Sequence, residues 1–459
     1  MNTFIKENEV IQIEIRKTGI NGEGIGYYKK LAIFVDYALP NETVDVMITR
    51  VYDNRAMAKL VKIHKKSEFR ATPFCPVYEQ CGGCQFQHIT YEQSLIEKRE
   101  MILSSFDRYI SFKVPRELVK DTIGADDPKN YRNKASLPVQ SKKRNEIGMY
   151  QANSHKFIAI DACPVQDKNI NRILKTILDL MNTYKVDGFD PKFNKGYIKS
   201  LVVRVSEDTK EAQVSFILFN DSKFLDRMVK KLIEVEPMIK SVFKVLSKPN
   251  KKNPFFSDAP IKLYGKDTIQ AKLDGYTFDL KPDAFFQLNT PQAHKFYLKM
   301  KELARLKKSE VAIDAYAGVA PVSHYIAKDC KHVYAIELDE SSCISAKKSL
   351  NENGIDNVTV LHSDFNRALS GLKEKEIDVM FFDPPRTGLG TETIKLILES
   401  KPKRIIYGSC NPSTLAKDLN VLLDHYFLEE TSPLDMFPYT SLVESVSLLT
   451  LKPVENTIN

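Results

Sequence analysis

No apolar run in this chain approaches the roughly 18 residues that a membrane-spanning helix needs. The first residues, MNTFIKENEVIQIEIRK, contain neither the apolar stretch nor the small-residue cleavage site of a signal peptide. Low-complexity segments and internal repeats are also absent, and a composition of 43% hydrophobic and 27% charged residues is typical of a globular protein. We therefore expect a cytoplasmic protein that does not enter a membrane.

The cysteines do not form the pattern of a disulfide framework. Seven is an odd number and the spacing is uneven, whereas small disulfide-stapled domains carry even, regularly spaced sets. With 459 residues the chain is long for one hydrophobic core, which indicates two or three domains.

Charge is moderately positive, at +8, which is compatible with nucleic-acid binding but also with many ordinary enzymes. Residues 129–145 contain six lysines and arginines and no acid, with Tyr131 among them. This basic stretch is either a solvated loop or an RNA-binding surface, and the sequence leaves both open. A second basic group, at Lys248, Lys251 and Lys252 in a link rich in Pro and Asn, is interpreted as solvated surface.

Three patterns follow one another along the chain. Residues 5–63 read as short alternating strands around glycine-containing turns such as TGINGEGIG, which predicts a small β-barrel. Residues 65–280 are mixed, with predicted helices over 90–107 and DRMVKKLIEVEP and a predicted hairpin around the turn EDT. From about residue 281, strand candidates alternate with helical stretches, which predicts a parallel sheet covered on both faces. The five candidates are EVAIDAYAG, HVYAIELD, VTVLHSD, IDVMFFDPP and RIIYGSC.

Polar residues stand where the predicted parallel strands end, which is where ligands bind an open sheet. Tyr316, Glu337, Asp383 and Cys410 occupy four of these ends. Because packing rewards only the apolar strand bodies, the pattern indicates a nucleoside-containing cofactor whose ribose is bound by Glu337. It does not separate a nicotinamide cofactor from S-adenosylmethionine, although no G-x-G-x-x-G follows the first strand.

Cys410 follows the strand RIIYGS and precedes a helical pattern. A lone cysteine is most often a small buried hydrophobe, and we interpret Cys330 and Cys343 in this way. At the ligand edge of the sheet, together with Asp383 and Glu444, Cys410 is better interpreted as a nucleophile.

Several separate motifs then carry a resemblance to a known family. DAYAG, DPPRTGL, SCNPSTLAKDL, LDMFPYTSLVESV and DAFFQLN together resemble the S-adenosylmethionine-dependent RNA uracil-5-methyltransferases, and in particular the Gram-positive 23S rRNA enzymes. The amino-terminal barrel resembles their TRAM domain, an OB-like fold. The resemblance implies three domains: a TRAM-like RNA-binding barrel (1–64), a mixed α+β central domain (65–280) and a Rossmann-like catalytic domain (281–459).

The resemblance also implies roles for individual residues. Four would contact S-adenosylmethionine: Gln287, Tyr316, Glu337 and Asp383. Asp364 is a weaker candidate on the adenine side. Cys410 would be the nucleophile and Glu444 the base. The partner would be large-subunit rRNA, and we expect the protein to act as a monomer.

The chemistry explains why these groups are needed. Uracil C5 does not attack a methyl donor unaided, but a thiolate that adds to C6 makes C5 nucleophilic. A carboxylate must then take the C5 proton so that the cysteine can leave. A thiolate needs a partly positive setting, for which Arg386 is a candidate. The target base must be unpaired or flipped out, and Phe285 and Phe286 are candidate stacking surfaces, although at least one is expected in the core.

Four cysteines form a candidate metal site: Cys75, Cys81, Cys84 and Cys163. From the residues alone, four thiolates suit zinc as well as an iron–sulfur cluster. The resemblance favours a four-iron, four-sulfur (4Fe-4S) cluster with a structural or RNA-organising role.

The sequence departs from the family pattern at Ala320 and Pro321, which follow DAYAG where a glycine and a small polar residue are usual. Two alternatives to methylation of rRNA stay open, of which only the second depends on these two residues. One is methylation of tRNA. The other is an RNA-binding protein whose cofactor binding is weakened by Ala320 and Pro321.

Overall fold

The computed structural model describes residues 5–152, 154–190, 192–247, 255–256, 258–372 and 375–453. The second basic group, at Lys248, Lys251 and Lys252, lies outside the described residues. Within the described part of the chain, no helix is both long and apolar enough to cross a bilayer.

The amino-terminal strands close into a barrel, which confirms the prediction for this part of the chain. The strands are β1 (Val10–Thr18), β2 (Gly24–Tyr28), β3 (Leu31–Asp36), β4 (Thr43–Val51) and β5 (Arg55–Lys65), in the order β1-β2-β3-β5-β4. Strand β2 falls partly on the predicted turn TGINGEGIG. A Cβ atom at Gly24 would lie 2.6 Å from the carbonyl oxygen of Ala38, so glycine here permits close strand contact rather than a turn.

The middle of the chain forms one helix and then a seven-stranded sheet with two helices against it. The elements are α1 (Tyr91–Tyr109), β6 (Lys134–Ser141), β7 (Asn145–Tyr150), β8 (Phe157–Ala159), α2 (Lys168–Tyr184), β9 (Ile198–Ser206), β10 (Glu211–Leu218), α3 (Leu225–Val235), β11 (Ile239–Leu246) and β12 (Ile261–Gly265). The sheet order is β12-β11-β10-β9-β6-β7-β8, and the predicted hairpin is confirmed as β9 and β10.

The basic stretch 129–145 is not a loop throughout. Its central residues form β6, which pairs antiparallel with β9. Ala135, Leu137 and Val139 are buried in the core of this sheet, and the charged residues alternate with them or flank the strand. The loop prediction is therefore wrong for this part, because period-two apolar residues lie among the charges.

The last part of the chain forms a hairpin, a helix and a second seven-stranded sheet. Its elements are β13 (Ile269–Leu273), β14 (Tyr276–Leu280), α4 (Thr290–Ala304), β15 (Val311–Ala315), α5 (Pro321–Ile326), β16 (His332–Glu337), α6 (Glu340–Glu352), β17 (Val358–His362), α7 (Phe365–Gly371), β18 (Val379–Phe382), α8 (Thr391–Ser400), β19 (Arg404–Ser409), α9 (Pro412–Leu422), β20 (Tyr426–Leu434) and β21 (Glu444–Leu451). The order is β17-β16-β15-β18-β19-β21-β20.

Strands β15 to β19 are parallel, as predicted, whereas β20 and β21 are antiparallel additions that the sequence did not predict. Successive residues of β19, Ile405 and Ile406, belong to different apolar clusters, so helices cover both faces of the sheet. Helix α1 shares one of these clusters with α9, through Ile102 and Leu419. This is the predicted Rossmann-like α/β fold with a separate barrel. The domain limits at 64 and 280 stay a prediction.

Candidate active site

A cavity of about 690 Å³ opens where the parallel strands end, and it brings together the predicted cofactor and catalytic residues except the weaker candidate Asp364. Its lining includes Gln287, Tyr316, Glu337, Asp383, Cys410 and Glu444. The first and last of these residues, Gln287 and Glu444, lie more than 150 positions apart in the chain. The order of the strands in the sheet explains why the six residues meet. Strands β15, β16, β18 and β19 all point their carboxyl ends to this edge, and β21 begins beside β19.

Glu337 holds the loop after β15 as well as facing the cavity. Its Oε2 accepts a hydrogen bond from the amide of Gly318 at 2.8 Å, and its Oε1 accepts one from the amide of Asp339 at 2.7 Å. Tyr316 has a left-handed backbone, with φ of 59°, and its ring stacks on Phe365 at 6.0 Å between centroids. The loop therefore holds an uncommon conformation at the cavity wall.

Asp314, which the sequence did not single out as a site residue, secures the same loop from inside. It is 2% exposed, and its Oδ2 accepts hydrogen bonds from the amide of Ser323 at 3.0 Å and the hydroxyl of Ser323 at 2.6 Å. Burial raises the pKa of Asp314 to about 7, and these hydrogen bonds oppose the rise. Asp314 thus anchors the short helix α5 rather than lining the cavity.

Ala320 and Pro321 lie at the start of α5 with different surroundings. Ala320 is fully buried with φ of 61°, whereas Pro321 lines the cavity. The methyl group of Ala320 is therefore enclosed by protein, and Pro321 is the departure from the family pattern that faces the cavity.

The turn at Cys410 is fixed by its neighbours. Asn411 caps α9, accepting a hydrogen bond from the amide of Ser413 at 3.1 Å, and donates from Nδ2 to the carbonyl oxygen of Arg386 at 3.1 Å. A Cβ atom at Gly408 would lie 2.7 Å from the ring of Phe296. Cys410 is consequently held at the carboxyl end of β19, beside the loop that follows β18.

The electrostatic setting of Cys410 is acidic, which corrects the expected positive one. Burial, together with Glu444 and Asp383, raises the pKa of the Cys410 thiol to about 12, and Arg386 opposes this only in part. Burial raises the pKa of Asp383 to about 6. Burial also raises the pKa of Glu444 to about 8, with a further contribution from Asp383, whereas Arg386 and Lys98 act in the opposite direction. The thiol of Cys410 is therefore harder to ionise than an ordinary cysteine, and the two carboxyl groups that act on it also have raised pKa values.

Asp364 takes no part in this cavity wall. It is exposed and caps α7, accepting hydrogen bonds from the amides of Asn366 at 2.9 Å and Arg367 at 3.4 Å.

The two adjacent phenylalanines differ in burial, as expected: Phe286 is 7% exposed and packs on Phe278, whereas Phe285 is 72% exposed and lines the cavity.

The four predicted metal-site cysteines line a second cavity, of about 420 Å³, which Phe285 also borders. Burial raises the pKa values of the thiols of Cys81, Cys84 and Cys163. Among the described residues, however, no group of three or more His, Cys, Asp or Glu side chains is arranged to hold a metal ion. The donor type and the shared cavity fit a thiolate-bound metal, but the arrangement does not reproduce the predicted ligand set.

Basic and aromatic side chains pair on the barrel surface. The guanidinium group of Arg16 lies 5.8 Å from the ring centre of Tyr27, and that of Arg55 lies 4.6 Å from that of Tyr52. In the basic stretch, by contrast, Tyr131 is buried and donates a hydrogen bond to the carbonyl oxygen of Pro438 at 3.1 Å. Tyr131 is therefore a structural residue and not a stacking surface.

Fold and cavity define a Rossmann-like methyltransferase with an added barrel. Residues 90–452 match the sequence model of the tRNA (Uracil-5-)-methyltransferase family, and residues 6–61 match that of the TRAM domain. The chain therefore belongs to this family of S-adenosylmethionine-dependent RNA methyltransferases. An uncharacterized RNA methyltransferase of Halalkalibacterium halodurans is 36% identical over 453 residues, with 98% of each chain covered. Another, of Listeria innocua, is 37% identical over 454 residues, covering 97% of this chain and 98% of the relative.

A solved structure extends this similarity over nearly the whole chain. The tRNA (uracil-54, C5)-methyltransferase of Pyrococcus abyssi, solved in complex with S-adenosyl-L-homocysteine, superposes with a TM-score of 0.76 at 26% identity. The superposition covers 96% of this chain and 99% of the other. The similarity therefore extends over the barrel, the middle sheet and the methyltransferase sheet.

Proposed function

We propose that this protein transfers a methyl group from S-adenosylmethionine to C5 of a uridine in 23S rRNA. The observation that supports this most is that one cavity holds Cys410, Glu444 and the four proposed cofactor residues. A thiol, a carboxyl group and a nucleoside-binding edge on one wall are what methylation at a pyrimidine carbon requires.

In the proposed reaction Cys410 supplies the nucleophile. Its sulfur forms a bond to C6 of the uracil, and the electrons of the C5–C6 double bond move towards C5 and O4. Gln287, Tyr316, Glu337 and Asp383 would hold S-adenosylmethionine, which would supply an electrophilic methyl group. As C5 forms its bond to the methyl carbon, the bond between that carbon and the sulfonium sulfur would break, and S-adenosyl-L-homocysteine would leave with the electrons of the broken bond. The thiol has to lose its proton first, and burial, together with Glu444 and Asp383, raises its pKa and makes the free thiolate scarce at neutral pH.

Glu444 completes the cycle as a general base. Its carboxylate receives the C5 proton, the C5–H electron pair re-forms the C5–C6 double bond, and the sulfur of Cys410 leaves C6 with the electrons of their bond. A base acts best when its pKa lies near the working pH, and burial brings the pKa of Glu444 to about 8.

The RNA has to present an extruded base, because C6 of a stacked uracil is covered. We propose that the barrel and the charged residues of 129–145 hold the backbone of such an RNA. Phe285, which is exposed and lines the cavity, is the side chain that we propose for stacking on the extruded base. We place this activity in the cytoplasm, with a monomer as the working unit.

The four cysteines support rRNA as the target through their resemblance to the rRNA enzymes. We propose that Cys75, Cys81, Cys84 and Cys163 hold a 4Fe-4S cluster of structural or RNA-organising role. No step of methyl transfer needs an electron, so the reaction above does not involve it.

Methylation of tRNA is the second candidate, favoured by the superposition on the Pyrococcus abyssi enzyme, whose name specifies tRNA. A protein that binds RNA with weakened cofactor affinity is the third. The enclosed position of Ala320 argues against a contribution from that residue, since its methyl group does not border the cavity, and leaves Pro321 as the basis of this candidate.

Mass spectrometry of rRNA and tRNA fragments from cells with and without the gene tests the proposal, with the gene carrying Cys410→Ala as control. We expect 5-methyluridine to disappear from 23S rRNA in the deletion and in the Cys410→Ala strain. Loss from tRNA alone would select the second candidate. Unchanged methylation, with no heat on titration with S-adenosylmethionine, would select the third.

A further inference from the structure

A lysine is completely buried next to the segment that carries Glu444. Lys98 lies on α1 with no exposed side-chain surface, on the same face as Met101 and Ile102. Its ammonium group forms an ion pair with Asp435, which is also fully buried, and donates a hydrogen bond to the carbonyl oxygen of Phe437 at 3.2 Å. Burying an ammonium group is costly unless its partners compensate. The ion pair with Asp435 and the hydrogen bond to Phe437 supply that compensation.

Asp435 is satisfied on its other side as well. Its Oδ2 accepts a hydrogen bond from the hydroxyl of Tyr91 at 2.8 Å, and that hydroxyl accepts one from the amide of Ala125 at 2.7 Å. The carbonyl oxygen of Asp435 accepts a hydrogen bond from Nε2 of Gln292 at 2.9 Å. Helices α1 and α4 thus fix this one residue from two directions.

Asp435 and Phe437 begin the connection between β20 and β21, and Glu444 is the first residue of β21. Phe437 and Glu444 both line the cavity. The start of the connection is therefore held by Lys98, and its end carries the carboxyl group proposed to act on the uridine.

We propose that Lys98 is a positioning residue for methyl transfer, whose ammonium group holds the Asp435–Phe437 turn and thereby fixes Glu444 against the target uridine. This inference rests on the proposed function. Asp383, Arg386 and Lys98 act electrostatically on Glu444, and Glu444 in turn acts on the thiol of Cys410. Arg386 is exposed, so Lys98 is the buried positive charge among them.

Loss of the lysine charge has a predictable sign. Lys98 and Arg386 lower the pKa of Glu444 while burial and Asp383 raise it. Without Lys98, Glu444 keeps its proton to a higher pH, so the base is ionised only in more alkaline solution. If Lys98 had only a structural role, its loss would make the protein less stable but would leave the pH dependence of methyl transfer unchanged.

The test compares Lys98→Met/Asp435→Asn with the wild-type protein. Replacing both partners avoids an unpaired buried charge, which on its own is strongly destabilising. A matched control is Arg404→Met/Glu310→Gln, which removes another largely buried ion pair, 2.6 Å long, at the amino end of β19. The measurements are calorimetric binding of S-adenosylmethionine, covalent protein–RNA adduct on a denaturing gel, and methyl transfer to rRNA fragments as a function of pH.

We expect the Lys98 variant to bind S-adenosylmethionine within about twofold of wild type, to lose roughly 100-fold in turnover and to accumulate adduct, as loss of a general base does. The rising part of its pH–rate profile should move to higher pH. The Arg404 variant should keep the wild-type profile and form no adduct. A folded Lys98 variant with wild-type turnover and profile would overturn the inference. If the wild-type protein itself transfers no methyl group to uridine, the proposed function fails instead.

Discussion

The amide of Ser441 donates a hydrogen bond to Oε1 of Gln85 at 3.2 Å, although 356 positions separate the two residues. In the same contact, the amides of Gln85 and Phe86 both donate to the carbonyl oxygen of Tyr439, at 3.0 and 2.9 Å. The residues directly after Cys84 are therefore bonded to the segment that leads into Glu444. A change in the position of the residues around Cys84 should therefore also move the segment from Tyr439 to Ser441.

Metal content follows as a first prediction. Protein purified without oxygen should contain iron and acid-labile sulfide, and Cys84→Ser should lose both and unfold at a lower temperature. Cys343→Ser, at a buried cysteine outside the second cavity, serves as control and should retain the metal. Zinc in place of iron would leave the thiolate site but refute the cluster, and protein without metal would refute both.

Glu444→Gln should stop the reaction after the carbon–carbon bond has formed. The amide cannot take the C5 proton, so Cys410 stays bound to C6 and a protein–RNA adduct should appear on a denaturing gel. Cys410→Ala should form none while still binding RNA, and Cys330→Ala, at a buried cysteine away from the cavity, should turn over normally. A wild-type rate for Glu444→Gln would remove Glu444 from the mechanism.

The same substitution should stabilise the fold at alkaline pH. Because the pKa of Glu444 is raised from 4.5 to about 8, the folded protein binds this proton more tightly than the unfolded chain does. The group therefore costs stability progressively as pH rises from about 4.5 to about 8. Glu444→Gln removes that cost, so the free energy of unfolding should exceed the wild-type value by roughly 1–3 kcal/mol above pH 8 and by little near pH 4. Urea unfolding at both pH values measures this, and equal differences would contradict it.

Glu337→Gln should weaken S-adenosylmethionine binding. The single carbonyl oxygen of the glutamine side chain can replace only one of the two carboxylate oxygens that now accept hydrogen bonds from the amides of Gly318 and Asp339. The substitution also removes the charge that favours ribose hydroxyls. We expect roughly a tenfold to hundredfold rise in Kd by calorimetry. Asp364→Asn, at an exposed helix cap, should leave Kd unchanged; equal effects of the two substitutions would mean that Glu337 has no specific role.

Ala320→Gly should be close to neutral for stability. Its left-handed backbone costs an alanine about 1–2 kcal/mol, but glycine gives up a buried methyl group worth about 0.8 kcal/mol and has more entropy to lose. Ala327→Gly is the matched control, since Ala327 is also buried but has φ of −52°. It should lose roughly 1–2 kcal/mol in urea unfolding. Equal losses would show that Ala320 bears no strain.

Local pattern was enough to predict the five parallel strands and their polar ends, since each strand is an apolar run that ends at the same edge. It was also enough to predict the position of Cys410, which directly follows the carboxyl end of the strand RIIYGS. It was not enough for β20 and β21, whose pairing with β19 joins distant residues. The acidic setting of Cys410 likewise depends on Glu444 and Asp383 arriving from different strands.

Lys98 shows most clearly what a local sequence pattern cannot predict. Its position on the buried face of α1, between Ser94 and Ile102, was a signal, because a charged residue in an apolar stripe needs a partner. The partner, Asp435, lies 337 positions away and no local pattern points to it.

Gly22, in the turn between β1 and β2, has φ of 91° and leaves no space for a side chain. A Cβ atom there would lie 2.8 Å from Cβ of Gln85 and 3.3 Å from Cβ of Ser441. The barrel therefore packs closely, at Gly22, against the residues that follow Cys84 and against the segment that leads into Glu444. In the proposed reaction, an RNA bound to the barrel would therefore be held at a fixed distance from Cys410, and only a uridine at that distance along the RNA would reach the sulfur.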